Sequence, residues 1–187
     1  MPSALRAILL LSLILLTPAS NSTQESRAMP HSEDSFYVAG FSARTNNAKE
    51  ATGHGVIGQL WQDFYQKDLA AQIPHRIGAD TIVVYSDYDS DEKGDYTYLL
   101  GTRVSSVDNL PSGMTYRKIA PGTYAVLTTD RGPVTEVVSA LWKKIWGMTP
   151  EDLGGKRAFL TDYEVYDQRA ADPHSAQVEF HIGVQPQ

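Results

Sequence analysis

Two stretches of this sequence, VIGQLWQDFY (56–65) and VVSALWKKIW (137–146), share one spacing of apolar residues. In each stretch apolar side chains occupy positions i, i+1, i+4, i+5, i+8 and i+9, with a Leu-Trp pair at the centre. This spacing places the apolar side chains along one stripe of an α-helix. Val56 corresponds to Val137, and every later apolar position of the first stretch recurs in the second at the same separation along the chain. We call this separation the repeat offset. The sequence therefore predicts two related helices in a duplicated chain.

The segments around each predicted helix repeat as well. Segment 36–44 precedes the first helix and segment 122–130 precedes the second, and both alternate apolar with polar residues as half-buried strands do. Two further strand-like segments follow each helix, and Gly101 and Gly183 occupy matching places in the last of them. The pattern predicts a strand–helix–strand–strand unit that occurs twice.

Two βαββ units, over about 36–106 and 114–187, predict an α+β domain with pseudo-twofold symmetry that spans residues 29–187. A single unit cannot cover both faces of its sheet, so we expect the second unit to complete the core. In this arrangement both helices cover one face of an antiparallel sheet, and the other face is free for a ligand groove. The Trp residues of the helical stripes are expected to pack between helix and sheet.

The N-terminal segment 1–28 is predicted to lie outside this fold. Arg6 precedes a short apolar run (7–16), and a polar stretch follows. A membrane-spanning helix needs about 20 apolar residues, so the run fits the hydrophobic region of a cleaved signal peptide. We expect an exported protein, periplasmic or secreted, with no membrane association after cleavage behind Ala19 or Ala28. An uncleaved membrane anchor is the alternative.

Composition narrows the classes of function further. The chain has 187 residues, a net charge of −6 and no cysteine. The negative charge argues against a nucleic-acid partner, because phosphate binding needs clustered Lys and Arg. The absence of cysteine rules out disulfides, thiolate metal sites and a cysteine nucleophile. The five histidines show no metal-ligand spacing, so neither a zinc site nor another cofactor is expected.

Two motifs match known ligand loops but lack the required context. Residues 53–58 match GxGxxG, yet the preceding residues 46–52 are polar and do not form the strand that a dinucleotide site needs. Asp87, Asp89 and Asp91 resemble the start of a calcium loop. The glycine and glutamate that an EF-hand has at its sixth and twelfth positions are absent. We expect a flexible helix entry and a solvated hairpin turn instead.

Polar residues in the last two predicted strands form the strongest candidate site. Alternation places Glu164 and Tyr166 on one face of their strand, and Glu179 and His181 on one face of the next. The apolar residues between them are expected to lie under the helices, which leaves these four side chains on the free face of the sheet. Carboxylates, an imidazole and a Tyr ring suit a cationic or polar aromatic ligand. The alternative is an exposed polar face without a ligand.

The order and spacing of the segments resemble the GyrI-like family, the AraC-type bacterial activator effector-binding domain. The resemblance spans about 36–185 and is carried by these segments: VAGFSAR (38–44), IGQLWQDF (57–64), YTYLLGTRV (96–104), IAPGTYAVL (119–127), VVSALWKKIW (137–146), TDYEVYD (161–167) and VEFHIGV (178–184). It implies a pseudo-twofold pair of βαββ units. It also implies that drug-like, often cationic amphiphilic molecules bind in an aromatic groove with a Glu at its base.

The resemblance implies roles for particular residues. Glu164 matches the family's glutamate in the D-aromatic-E-x-Y strand, and we expect it to pair with a cationic group. Tyr98, Tyr166 and Trp142 are then expected to supply aromatic rings. The chain has no helix-turn-helix segment, so transcriptional control is not expected. Export would separate the protein from cytoplasmic gyrase, a partner of some relatives.

Three functions remain open at this point. The first is an exported binding protein for a small cationic or amphiphilic molecule. The second is a hydrolase, as some relatives are, in which Glu164 acts as general base and a Tyr or His181 donates a proton. No nucleophile–base–orienter set is visible for it. The third is an interaction module whose acidic face docks a basic protein.

Overall fold

A computed structural model describes residues 28–53 and 55–185. These residues form one eight-stranded antiparallel sheet with helices on one face, which is the predicted α+β architecture. The predicted signal peptide up to residue 27 and His54, the second residue of the GxGxxG match, lie outside the described residues. Within the described ranges, no helix has both the length and the apolar character needed to cross a membrane.

The described elements follow the predicted repeat and add short elements around it. In chain order they are β1 (Met29–Glu33), β2 (Phe36–Thr45), α1 (Asn47–Ala51), α2 (Ile57–Gln66), α3 (Leu69–Gln72), β3 (Thr81–Ser86), β4 (Tyr96–Val104), β5 (Thr115–Ile119), β6 (Gly122–Thr128), α4 (Val134–Gly147), α5 (Pro150–Leu153), β7 (Lys156–Tyr166), a 3-10 helix (Gln168–Ala170) and β8 (Glu179–Gln185). The repeated unit is β2-α2-β3-β4 in the first half and β6-α4-β7-β8 in the second.

The strand order β1-β6-β8-β7-β3-β4-β2-β5 is symmetric about the pair of β7 and β3. At the centre of this pair Val83 of β3 lies opposite Glu164 of β7. Val83 and Glu164 are repeat partners, because they are separated by the same number of residues as Val56 and Val137. A pseudo-twofold axis therefore passes between Val83 and Glu164, and the predicted duplication is confirmed.

Strands β1 and β5, which the repeat does not predict, extend the two edges of the sheet. Two residues, Ala120 and Pro121, connect β5 to β6, although β5 forms one edge and β6 lies next to the other. The Cα atoms of Ile119 and Gly122 are therefore at most about 11 Å apart. The sheet has to curl until its two edges approach each other.

The curled sheet encloses a core on the face opposite the helices. Tyr163 of β7 and Tyr124 of β6 meet there with ring centroids 5.3 Å apart. The buried residues of this core come from six strands: Val38, Ile82, Val84, Leu99, Ile119, Tyr124 and Tyr163. The face is therefore filled by apolar side chains over much of its area, where alternation alone suggested a free surface.

Two further cores lie on the helix side, one under each long helix. Phe64 of α2 is buried over the first half of the sheet, and Leu141 and Ile145 of α4 are buried over the second. Fully burying a side chain of this kind contributes about 1.5–3 kcal/mol. Trp142 and Tyr166 pack against both cores, so the boundary between the cores lies at the pseudo-twofold axis.

The matching glycines of the repeat occur where strands approach closely. A Cβ atom on Gly101 would lie 2.0 Å from the carbonyl oxygen of Ala39, and one on Gly183 would lie 2.5 Å from that of Thr161. Both distances are shorter than any normal contact, so a larger residue would force the strands apart. This close packing explains why both halves have glycine at the same place.

Candidate functional site

Glu164 lies at the centre of the sheet, between the two long helices, and is 1% exposed. Its Oε1 atom accepts hydrogen bonds from the Tyr85 hydroxyl at 2.9 Å and the Trp142 indole N–H at 2.6 Å. Its Oε2 atom accepts one from the Tyr166 hydroxyl at 2.7 Å. The three donors that the described residues give to this carboxylate are all neutral groups.

The two tyrosines that bind Glu164 are related by the repeat. Tyr85 and Tyr166 are separated by the repeat offset and lie on opposite sides of the pseudo-twofold axis. Each donates its hydroxyl to a different oxygen of the same carboxylate. A single acidic side chain at the axis therefore satisfies one tyrosine from each half.

The tryptophans of the two helical stripes flank the carboxylate. The Trp61 ring of α2 lies 5.0 Å from the Tyr166 ring, and its indole N–H donates to the Tyr98 hydroxyl at 2.8 Å. The Trp142 ring of α4 lies 4.9 Å from the Tyr85 ring. Both ring pairs are edge-on, an arrangement that aromatic quadrupoles favour. We call this set the aromatic site: Glu164 at its floor, with Trp61, Tyr85, Tyr98, Trp142 and Tyr166 around it.

Burial governs protonation in the aromatic site. Loss of hydration raises the pKa of Glu164, and its three hydrogen bonds oppose part of that rise. Burial, reinforced by the nearby Glu164 carboxylate, also holds the pKa values of Tyr85, Tyr98 and Tyr166 well above their ordinary value. These hydroxyls therefore stay protonated at neutral pH and remain hydrogen-bond donors.

The structure brings together four of the six predicted site residues. Glu164, Tyr166, Tyr98 and Trp142 all meet in the aromatic site. The other two, both from β8, lie on the opposite face of the sheet. The residue types predicted for a cation site are therefore clustered, but in a place different from the expected one.

The expectation that the polar residues of β7 and β8 share the free face is wrong. Glu164 pairs with Phe180, which packs under α4, so Glu164 and Tyr166 face the helices. Glu179 and His181 face the other way. The reason is that β7 is buried on both faces, and a strand buried on both faces does not reveal its orientation by alternation.

Glu179 and His181 belong to a separate polar cluster on that second face. His181 Nε2 lies 2.9 Å from Glu179 Oε1, and His181 Nδ1 lies 3.7 Å from Glu33 Oε1. The imidazole stacks on the Tyr163 ring at 4.2 Å, and burial lowers its pKa. A cleft of about 360 Å³ is lined in part by Glu33, Val126, Glu179 and His181. The described part of the chain contains no group of three or more side chains placed to hold a metal ion.

Two residues of the aromatic site, Tyr85 and Trp61, are absent from the predicted set. Both are repeat partners of predicted residues, since Tyr85 corresponds to Tyr166 and Trp61 to Trp142. The repeat offset, extended from the helices to the strands, is the signal that identifies them. The repeat therefore contains more information about the site than the polarity of single strands.

A duplicated βαββ sheet with an aromatic site on its symmetry axis defines an effector-binding domain. The chain matches the family model of Cass2, the integron-associated effector binding protein, over residues 31–184. It belongs to this family, which is related to the GyrI-like domains that its sequence resembles. YobU, a candidate transcriptional regulator of Bacillus subtilis (strain 168), is 35% identical over 147 residues, which cover 78% of this chain and 90% of YobU.

Solved structures share the fold. The integron cassette protein VCH_CASS2, from the mobile metagenome of Vibrio cholerae, has a TM-score of 0.66 and 27% identity over 85% of this chain and 96% of its own. SAV2435, solved with bound tetraphenylphosphonium, has a TM-score of 0.68 and 17% identity over 84% of this chain and 93% of its own. These similarities confirm the predicted fold class and the GyrI-like resemblance.

Proposed function

We propose that this protein binds a small cation with apolar groups in the aromatic site, with Glu164 as the counter-ion. Membership of an effector-binding family supports a ligand-binding role, and the tetraphenylphosphonium in SAV2435 supports a lipophilic cation as the ligand. The observation that carries the proposal is the Glu164 carboxylate, which is buried among rings and hydrogen-bonded by neutral donors only within the described residues.

A buried carboxylate without a positive partner is unfavourable, because it has lost its hydration. Each hydrogen bond from a neutral group restores about 0.5–1.5 kcal/mol net. A cation placed over Glu164 would complete the compensation. The faces of nearby indole and phenol rings would add about 0.5–2 kcal/mol through cation–π attraction. The aromatic site therefore favours a ligand that combines positive charge with apolar surface.

Access to Glu164 requires movement of rings. Glu164 and Tyr98 are almost completely buried, whereas Trp61, Trp142 and Tyr166 are only partly buried. The sheet residues are held by strand pairing on both sides, so we expect the two indoles to move and the strands to stay in place. Binding should then change tryptophan fluorescence, which provides a direct readout.

The test is a titration of the purified protein with tetraphenylphosphonium at neutral pH, followed by calorimetry and tryptophan fluorescence. We expect Glu164→Gln to weaken binding about 100-fold or more, since losing one partner of a buried charge pair costs about 3–5 kcal/mol. Glu179→Gln is the matched control, because it removes the same charge from the opposite face. It should change the affinity less than about twofold.

Tetraphenylborate provides a second control, since it has the same shape as tetraphenylphosphonium and the opposite charge. We expect it to bind at least about 100-fold more weakly than the cation, because Glu164 would repel it. Equal affinity for both ions, or an unchanged affinity for the cation in Glu164→Gln, would contradict the role given to Glu164. Wild-type protein that binds neither ion would contradict the proposed function itself.

We further propose that the protein acts after export. The support is the apolar run 7–16 with the preceding Arg6, a pattern typical of a signal peptide. The test is expression of the full chain in a bacterium, fractionation, and mass spectrometry of the purified protein. The expected result is a chain in the periplasm or medium that begins at Ser20 or Met29. A full-length chain in the cytoplasm would contradict it.

A further inference from the structure

A second pair of aromatic side chains lies beyond the aromatic site, one on each helix. Tyr65 stacks on Trp61 of α2, with ring centroids 5.6 Å apart and ring planes 24° apart. Trp146 stacks on Trp142 of α4, with centroids 6.4 Å apart and planes 28° apart. Tyr65 and Trp146 are separated by the repeat offset, so they are themselves repeat partners. We call them the outer rings.

The outer rings are exposed although they are large. Tyr65 is 68% exposed and Trp146 is 40% exposed, so neither is needed to fill a core. Each lies one helical turn beyond a tryptophan of the aromatic site, Trp61 on α2 and Trp142 on α4. On one side the sequence of contacts runs from Glu164 to Trp142 to Trp146. Stacked rings thus connect the buried carboxylate with the surface of the molecule.

The other side of the site also has an outer ring stacked on a tryptophan, but it has no carboxylate of its own. There the contacts run from Tyr98 to Trp61 to Tyr65. The residue that corresponds to Glu164 in this half is Val83, which lies opposite it at the pseudo-twofold axis. The two sides therefore offer two ring stacks and one carboxylate.

We infer that Tyr65 and Trp146 are ligand-binding positions and that the ligand is a monocation with at least two aromatic arms, one for each ring stack. This inference rests on the proposed function and names the class of ligand. The single carboxylate at the axis matches one positive charge midway between two arms. Each aromatic arm of the ligand packs against the ring stack on its side of the site. The outer ring is exposed, so its side chain can move to fit arms of different length. Aromatic contacts of this kind favour binding about two- to tenfold each.

The experiment compares three ammonium ions that differ only in the number of aromatic arms: tetramethylammonium, benzyltrimethylammonium and dibenzyldimethylammonium. Each is titrated into wild-type protein, Tyr65→Ala, Trp146→Ala and the double variant. Tyr116→Ala is the matched control, since Tyr116 is also an exposed ring but belongs to the edge strand β5 and to neither helix. Circular dichroism checks that every variant is folded.

For dibenzyldimethylammonium we expect each single variant to lose about fivefold in affinity and the double variant about 25-fold. Benzyltrimethylammonium should lose less than about twofold in either single variant, because its one arm can use the remaining stack, and about fivefold in the double variant. Tetramethylammonium should bind all variants equally. Tyr116→Ala should leave all three affinities unchanged.

Equal losses for all three ions would overturn the inference, since they would indicate a change in the protein rather than a lost contact with an arm. Unchanged affinity for dibenzyldimethylammonium in the double variant would overturn it as well. Glu164→Gln separates this failure from that of the proposed function. If Glu164→Gln abolishes binding while the outer-ring variants have no effect, the proposed function stands and the outer rings have no part in it.

Discussion

The two halves of the molecule each present a matching tyrosine and tryptophan to the symmetry axis but differ in charge. Tyr85 and Tyr166 are repeat partners that donate to one carboxylate, and that carboxylate comes from the second half alone. The first half has Val83 in the same place. Duplication of a βαββ unit thus accounts for a symmetric set of rings. A difference at one pair of positions adds the charge that makes the set a candidate cation site.

Val83→Glu removes this difference and has the largest expected effect. It would place a second carboxylate opposite Glu164, where Val83 is completely buried. Two like charges in a dry site raise each other's pKa and oppose folding. We expect the free energy of unfolding to fall by about 3 kcal/mol or more at neutral pH, measured by urea denaturation.

Val83→Gln is the control for that substitution, since it has the same size without the charge. We expect the stability gap between Val83→Glu and Val83→Gln to narrow as pH falls towards about 4, because protonation of the carboxyls removes their repulsion. A gap that does not change with pH would show that the two carboxyls do not interact.

The two tryptophans of the aromatic site provide the next comparison. Trp142 donates its N–H to the Glu164 carboxylate, whereas Trp61 donates to the neutral Tyr98 hydroxyl. Hydrogen bonds to charged groups contribute about 1.5–3 kcal/mol and those between neutral groups about 0.5–1.5 kcal/mol. We expect Trp142→Phe to lower the free energy of unfolding by about 2 kcal/mol and Trp61→Phe by about 1 kcal/mol. Equal losses at neutral pH would mean that Glu164 is protonated in the free protein.

Glu164 should also make stability depend on pH. Burial raises its pKa above the ordinary value of 4.5, so the folded state binds this proton more tightly than the unfolded state does. Stability is therefore lost as pH rises from about 4.5 through the raised pKa, by about 1.4 kcal/mol for each unit of pKa difference. In urea unfolding we expect Glu164→Gln to be more stable than wild type at about pH 7 and equally stable at about pH 4. A variant that is less stable at neutral pH would contradict the direction given for this pKa.

The smallest effect concerns the helices themselves. Gly58 in α2 corresponds to Ser139 in α4, and a Cβ atom on Gly58 would meet nothing within 4 Å. Alanine should therefore stabilise the exposed helix position by about 0.5–1 kcal/mol, because glycine loses more backbone entropy in a helix. Thermal unfolding of Gly58→Ala measures the gain. A loss of stability would indicate that α2 needs the flexibility of glycine to pack.

Much of the fold could be predicted because its information is local and repeated. The stripes that begin at Val56 and Val137, and the matched glycines at 101 and 183, identify both βαββ units. Strands β1 and β5 could not be predicted in the same way. They are short, and they form by pairing with the outermost strands of the repeat, which is a tertiary contact.

Four of the six residues of the aromatic site were predictable from the sequence, whereas the face of the sheet on which they meet was not. Glu164, Tyr166, Tyr98 and Trp142 follow from the strand pattern and the family resemblance. Their common face does not, because both faces of β7 are buried and the pairing of Glu164 with Phe180 decides which side turns to the helices. The same strand pairing places Glu179 and His181 on the opposite face of the sheet from Glu164.

By itself the sequence determined the duplication, the helical stripes and the presence of one acidic residue among rings, because these depend on spacing along the chain. The tertiary structure decided that Val83 and Glu164 meet at the axis and that the sheet curls over a core of its own. Strand order and register set which side chains become neighbours across the sheet. Those contacts join residues far apart in the chain, and local patterns of polarity do not specify them.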